Sequence, residues 1–168
     1  LDFFKRLLSE PAYRDWPDIG IVVQAYLRDA EDDLRGLLDW VHERGTEIAI
    51  RLVKGAYWDT ETTHAVRWNT AIPVWTRKWE SDACYEQLTR IMLEHADAIR
   101  PAFASHNVRS LAHVMAVAEE LGLTARDYEL QMLAGMGDPL KTAVVGMGRC
   151  LRIYCPYGDL LKGMAYLI

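Results

Sequence analysis

Long apolar runs are missing from this sequence of 168 residues. No stretch approaches the roughly 20 apolar residues that a membrane-spanning helix needs, so the sequence predicts no such span. Cysteine is scarce as well: Cys84, Cys150 and Cys155 form no CxxC pair, and their odd number favours a reduced protein over a disulfide framework. Excess basic charge is also absent, and the net charge of −5 argues against a general nucleic-acid binder.

Motifs for several common chemistries are absent too. Without HExxH or CxxC we expect no catalytic metal. The sequence contains no P-loop and no GxSxG elbow, and the segments GMGDP (135–139) and GMGR (146–149) do not match the GxGxxG fingerprint. The first residue is Leu1 rather than Met, so we expect the chain to be part of a longer protein.

Apolar runs of strand character alternate with segments of helical character along the chain. Hydrophobic residues make up 51% and charged residues 26%, which is typical of a soluble globular protein. Strands are predicted at 19–26, 46–55, 101–107, 128–137 and 149–158. Helices are predicted at about 1–10, 29–45, 59–70, 80–97, 108–122, 138–148 and 159–168.

This alternation predicts βαβ units and a parallel sheet in an α/β fold. The strands are rich in apolar residues, and we expect them to be apolar on both faces, as in a sheet covered by helices on both sides. Five βα units do not close an eight-fold barrel. From the pattern alone, the chain is either an open five-stranded sheet or a piece of a barrel.

Polar and aromatic residues cluster where each predicted strand ends, which is the edge at which parallel α/β folds bind ligands. Cations, amides and aromatic rings together suit a large, flat cofactor that carries phosphates. Gly55 and Ala56 would let the backbone approach such a ligand closely. The clustered residues are Gln24, Tyr26, Arg51, Lys54, Tyr57, Trp58, Ser105, His106, Asn107, Gln131, Arg152 and Tyr154.

Several motifs carry a resemblance to a known family. VVQAY, RLVKGAYWD, PVWTRK, SHN, QMLAGMG and RIYCPYG followed by LLKGMAYLI occur in this order. In these motifs the chain resembles the proline dehydrogenase domain of bacterial proline utilisation A over nearly its whole length. The resemblance implies a distorted (βα)8 barrel that binds FAD, of which residues 1–168 would form one incomplete domain containing about strands four to eight.

The resemblance also implies a reaction. The family oxidises L-proline to 1-pyrroline-5-carboxylate by hydride transfer to flavin N5, and a membrane quinone usually reoxidises the flavin. Many relatives carry an aldehyde dehydrogenase domain in the same chain. We therefore expect a cytoplasmic protein that associates peripherally with the inner membrane. Two alternatives stay open: another flavin barrel reductase, of the methylenetetrahydrofolate reductase kind, and a non-catalytic remnant of the fold.

Site residues follow from the matching motifs. Arg51 corresponds to the arginine beside flavin N5, and 76–78 to the segment near the adenosine and pyrophosphate. The implied catalytic and substrate-pocket residues are Arg51, Tyr57, Leu133 and Tyr154. The implied cofactor residues are Gln24, Arg51, Val53, Lys54, Gly55, Ala56, Trp58, Thr76, Arg77, Lys78, Ser105, His106, Asn107, Gln131 and Leu133.

One departure from the family pattern concerns the substrate carboxylate. In the family, two arginines follow the segment that here ends at Ile168, and a lysine and an aspartate come from strands one to three. Bidentate capture of a carboxylate needs such arginines. We therefore expect the 168-residue chain alone neither to bind proline tightly nor to turn it over.

Overall fold

The computed structural model describes residues 1–158, so the helix predicted at 159–168 lies outside the described residues. The helices are α1 (Asp2–Ser9), α2 (Ala30–Arg44), α3 (Trp58–Trp68), α4 (Lys78–Glu94), α5 (Val108–Glu120) and α6 (Asp138–Gly146). The strands are β1 (Gly20–Gln24), β2 (Ala49–Val53), β3 (Arg100–Ala104), β4 (Glu129–Leu133) and β5 (Leu151–Tyr154).

Within residues 1–158 the strands form one parallel sheet in the order β1-β2-β3-β4-β5. The spatial order equals the chain order and never reverses. Because βαβ crossovers are right-handed, a sheet wound without reversal places its helices on one side, which is the winding of a barrel. A doubly wound open sheet reverses its order. The predicted parallel α/β fold is confirmed, and the winding identifies it as part of a barrel.

Within residues 1–158, the helices that contact this sheet pack on its outer face. Ile50 and Leu52 of β2 are fully buried against the helical layer, whereas Arg51 between them lies on the opposite, inner face. Strand β4 repeats the alternation, with Leu130 buried outside and Gln131 half-buried inside. The expectation of two apolar faces was therefore wrong. A barrel needs an apolar surface only where its strands meet the helices, and its inner face can carry polar groups.

The predicted helix ends agree with local backbone chemistry. Helix α2 ends at Gly45, whose φ of 70° lies in the left-handed region that glycine tolerates. Helix α6 begins at Asp138 with Pro139 in its first turn, where the missing N–H of proline costs nothing. Among the described residues, no helix combines the length and apolarity needed to cross a bilayer.

Candidate active site

The polar residues that follow the strands surround one cavity of about 890 Å³ at the carboxyl ends of the sheet. Parallel strands bring their carboxyl ends to a single edge, so residues far apart in sequence become neighbours. The sequence-predicted residues that line this cavity are Gln24, Arg51, Val53, Lys54, Gly55, Ala56, Tyr57, Ser105, His106, Gln131, Leu133 and Tyr154.

The cavity wall also contains residues that the sequence analysis did not assign to a catalytic or cofactor role. They are Val22, Ala104, Met132, Met136, Arg152, Ile153 and Cys155. Most of them are apolar or small, so no chemical signal marked them as site residues. Arg152 was part of the polar cluster at the strand ends, but no family motif assigned it a function.

Arg51 lies in the middle of β2, between Val22 of β1 and Ala102 of β3 in the strand register. These small and medium neighbours leave room for the long guanidinium side chain on the inner face. Its Nε is buried and has no hydrogen-bond partner among the described residues. A buried donor of this kind is normally paired, so Arg51 is suited to receive an acceptor from a ligand.

Lys54 follows β2 and is held by helix α4. Its Nζ donates to Oδ1 of Asp82 at 2.5 Å and lies 5.6 Å from the ring centre of Tyr85. Lys78 donates to the other oxygen of Asp82 at 2.6 Å. Burial alone would raise the pKa of Asp82, but the hydrogen bonds and charges of both lysines hold that pKa below its usual value.

Gly55 is required by the backbone conformation and packing at the end of β2. Its φ is 128°, a conformation that residues with a side chain rarely adopt, and a Cβ there would clash with the ring of Tyr26. Tyr26 in turn is buried, and its backbone N–H donates to the Lys54 carbonyl at 2.8 Å. Gly55 therefore lets the end of β2 pack directly on Tyr26 while it lines the cavity.

His106 is held in one tautomer. The backbone N–H of Leu133 donates to its Nε2 at 3.0 Å, so Nε2 must be unprotonated and the neutral ring carries its proton on Nδ1. Nδ1 is buried and has no partner within the described part of the chain. Burial, and then the charge of Lys141, lower the pKa of His106. The ring therefore offers a neutral N–H donor.

A second polar network spans the inner face of β4 and β5. Both carboxylate oxygens of Glu129 accept from Arg152, each at 2.8 Å, and Gln131 also donates its amide N–H to Glu129. Burial works against ionisation of Glu129, yet these bonds lower its pKa overall. Because the amide N–H of Gln131 is bound to Glu129, its carbonyl oxygen is left as an acceptor beside the cavity.

The remaining predicted residues do not line the cavity. Thr76, Arg77 and Lys78 are exposed at the start of α4. Trp58 is the first residue of α3 and donates its indole N–H to the Trp75 carbonyl at 2.8 Å.

Asn107 also lies outside the cavity, because it caps α5. Its Oδ1 accepts from the N–H of Ser110 at 3.1 Å. For this residue the structure provides a local role that the family motif did not indicate.

The family model for proline dehydrogenase matches residues 1–168. The chain belongs to the proline dehydrogenase family. Among curated relatives it is 37% identical to the bifunctional protein PutA of Klebsiella aerogenes over 175 aligned residues, and 36% identical to that of Escherichia coli. Each alignment covers 100% of this chain and 13% of the relative. The proline utilisation A resemblance is thereby confirmed.

Solved structures of the family have the same fold. Proline utilization A from Bdellovibrio bacteriovorus, inactivated by N-propargylglycine, superimposes with a TM-score of 0.94 at 48% identity. The protein from Bradyrhizobium japonicum superimposes at 0.89 with 32% identity. Both matches cover 99% of this chain and 17% of the solved chain. The chain therefore spans a small fraction of the proteins it resembles.

Proposed function

We propose that the complete protein containing this chain oxidises L-proline to 1-pyrroline-5-carboxylate with FAD as its resident cofactor. Family membership supports the reaction. The observation that carries the proposal is the meeting of Arg51, Lys54, His106 and Gln131 around one cavity at the carboxyl ends of parallel strands. When bound, FAD would take a hydride from proline at flavin N5 and hand the electrons to a membrane quinone.

Two buried polar atoms support a large polar ligand in this cavity. Nε of Arg51 and Nδ1 of His106 are both donors without a partner among the described residues. A protein seldom leaves buried donors unpaired, because each costs the free energy of its lost hydration. FAD carries ring carbonyls, ribityl hydroxyls and phosphates, so it has acceptors for both donors.

Some cavity residues would set the charge beside the flavin ring, and others would set the orientation of the ring. Arg51 carries a permanent positive charge, which would stabilise negative charge on the reduced ring. The amides of Gln24 and Gln131 would bind polar edges of the ring. The backbone of 53–56 would line the ring and ribityl chain, with Trp58 packed beside it. Contacts to the adenosine and pyrophosphate are assigned to Thr76, Arg77 and Lys78. Contacts to the phosphates and flavin are assigned to Ser105, His106 and Asn107.

The substrate would be enclosed by aromatic and apolar side chains. We assign Tyr57, Leu133 and Tyr154 to the proline pocket, because they line the same cavity as Arg51. The proline ring is a compact set of methylene groups, and apolar walls of this kind favour it by excluding water. Such walls also protect a reacting centre from solvent.

The electron acceptor and the rest of the protein are part of the proposal. Relatives named bifunctional protein PutA support a second catalytic domain in the complete chain, for which we propose an aldehyde dehydrogenase. A quinone is dissolved in the bilayer, so we propose a cytoplasmic protein that associates peripherally with the inner membrane. Addition of membrane vesicles that contain a quinone should then restore the oxidised flavin after reduction by proline.

The test is the visible absorption spectrum of the purified complete protein, before and after L-proline is added without oxygen. We expect a flavin band that bleaches with proline. A flavin band that is unchanged by proline but bleaches with a reduced nicotinamide would instead support the reductase alternative. If no flavin band forms even after FAD is added, the chain is a non-catalytic remnant.

Arg51→Met in the complete protein tests the charge assigned to the flavin ring. We expect proline to reduce the flavin about a hundred-fold more slowly, the scale of losing one preorganised donor at a developing charge. The matched control is Arg35→Met, because Arg35 lies on α2, pairs with Glu31 and does not line the cavity. Equal rates in the Arg51 variant and the wild type would contradict the assigned role.

A further inference from the structure

Asp82 lies in the second turn of α4 and joins two lysines that the family motifs assign to different parts of the cofactor. Its Oδ1 accepts from Lys54, which lines the cavity, and its Oδ2 accepts from Lys78 at the start of α4. Lys54 belongs to the segment assigned to the ring and ribityl chain, and Lys78 to the segment assigned to the pyrophosphate. One carboxylate therefore links both segments.

The ammonium group of Lys54 has an ion pair on one side and an aromatic ring on another. Its side chain is 25% exposed and that of Asp82 is 29% exposed, whereas Lys78 is 78% exposed. Tyr85, one turn after Asp82 on the same helix, places its buried ring beneath the Lys54 ammonium. Since an ammonium group has three donors, Lys54 keeps capacity for a ligand while Asp82 orients it.

We propose that Asp82 is a positioning residue that orients the ammonium groups of Lys54 and Lys78 for FAD. The inference rests on the proposed function, because it takes FAD as the occupant of the cavity. A carboxylate beside a site for an anionic cofactor repels the phosphates by its charge alone. Asp82 would then favour FAD binding through its hydrogen bonds, because they hold two flexible lysines in one arrangement before the cofactor binds.

Charge and geometry predict opposite results for Asp82→Asn. If Asp82 mattered only as a nearby negative charge, its removal would strengthen the positive field of the lysines and tighten FAD binding. If Asp82 orients the lysines, the neutral amide loses both charge-assisted hydrogen bonds and FAD binding weakens. The direction of the change in the FAD dissociation constant therefore separates the two effects.

The experiment titrates FAD into the complete apoprotein and follows the quenching of flavin fluorescence. We expect Asp82→Asn to raise the FAD dissociation constant about ten-fold, by analogy with the loss of a residue that orients a metal ligand. Asp82→Glu should recover part of the affinity, because its carboxylate can still accept charge-assisted hydrogen bonds from both lysines. Riboflavin, which has no phosphates, should lose less affinity than FAD.

Glu86→Gln is the matched control on the same helix. Glu86 lies one turn after Asp82, is 22% exposed and pairs with Arg109 at 2.7 Å, but it does not line the cavity. We expect its variant to bind FAD like the wild type, and all apoproteins to share one thermal midpoint within a few degrees. Unchanged or tighter FAD binding in Asp82→Asn, or an equal loss in Glu86→Gln, would overturn the positioning role. A wild-type protein that binds no FAD would overturn the proposed function as well.

Discussion

At the scale of single residues, Glu129 shows how a charged side chain can be stable inside a barrel. Glutamate is seldom buried without a partner, and here its side chain is only 21% exposed. The bidentate pair with Arg152 and the amide of Gln131 satisfy both oxygens. An Arg–carboxylate pair with two parallel bonds has the geometry that compensates best for lost hydration.

Glu129 makes the stability of the protein depend on pH. Its pKa in the folded protein is below the ordinary value of 4.5. The stabilisation is therefore fully present above pH 4.5 and is lost as the pH falls through the lower, folded value. In Glu129→Gln we expect the free energy of unfolding of the complete protein to fall less steeply below pH 4.5 than in the wild type.

The measurement is denaturant unfolding at a series of pH values, and Glu119→Gln serves as the control. Glu119 is exposed on α5 and has no ion pair in the described part of the chain. A pH slope in Glu129→Gln that matches the wild type would show that this carboxylate does not contribute.

Individual site residues differed in how well the sequence predicted them. Arg51, Lys54 and His106 were marked by their motifs and by their place after strands, and the structure places all three at one cavity. Asp82 and Glu129 were not predicted as site residues. Each acquires its importance from a partner more than 20 residues away, at separations of 28 and 23. Single-sequence patterns carry no signal for such pairings.

At the scale of elements, the start of α5 is an example of a helix determined by local chemistry. Asn107 precedes the first residue of the helix and accepts the N–H of Ser110, while its own N–H donates to Ser105. These bonds satisfy groups that a helix terminus otherwise leaves unpaired. The segment 105–107 therefore connects β3 to α5 and places His106 at the cavity.

Asn107→Ala should destabilise the N-terminal turn of α5 by about 1 kcal/mol, the usual cost of losing a side-chain cap. The measurement is hydrogen exchange at the amide of Ser110 in the complete protein, which should become faster. Asn107→Asp is the matched variant, because aspartate keeps the acceptor and has a favourable charge at a helix N-terminus. Equally fast exchange in both variants would contradict the capping role.

The sequence predicted which helices and strands exist within residues 1–158 and in which order they occur. It predicted their first and last residues less accurately. Helix α4 begins at Lys78, about two residues before its predicted start, because the Glu80 carboxylate accepts the backbone N–H of Arg77 at 2.9 Å there. The strands are shorter than the apolar runs that predicted them, since pairing stops where the chain turns into the loops of the cavity. The apolar runs also did not indicate that the inner face of the sheet carries polar side chains, because each strand contributes only one or two of them.

At the scale of the whole molecule, the sheet has unpaired edges within residues 1–158. Strand β1 and strand β5 each pair on one side only. Val22, Ile153 and Tyr154 of these strands are each more than 40% exposed. Exposed edges with apolar side chains promote pairing between molecules.

We expect the 168-residue chain, expressed by itself, to self-associate and to bind a hydrophobic dye more strongly than the complete protein. Size-exclusion chromatography with light scattering measures the association. Ile153→Lys should reduce it, because a charge on an edge strand opposes pairing. Val145→Lys is the control, since Val145 is 59% exposed on α6, away from the strands. A monodisperse wild-type monomer would contradict this expectation.

The identity of chain order and strand order has a consequence for synthesis on the ribosome. Each described strand after β1 pairs with the strand translated just before it. The strand edge on which a new βα unit docks has therefore already left the ribosomal exit tunnel. No part of the described sheet has to wait for a distant segment, and loop-closure entropy stays low at each step. The described sheet can therefore grow strand by strand during translation.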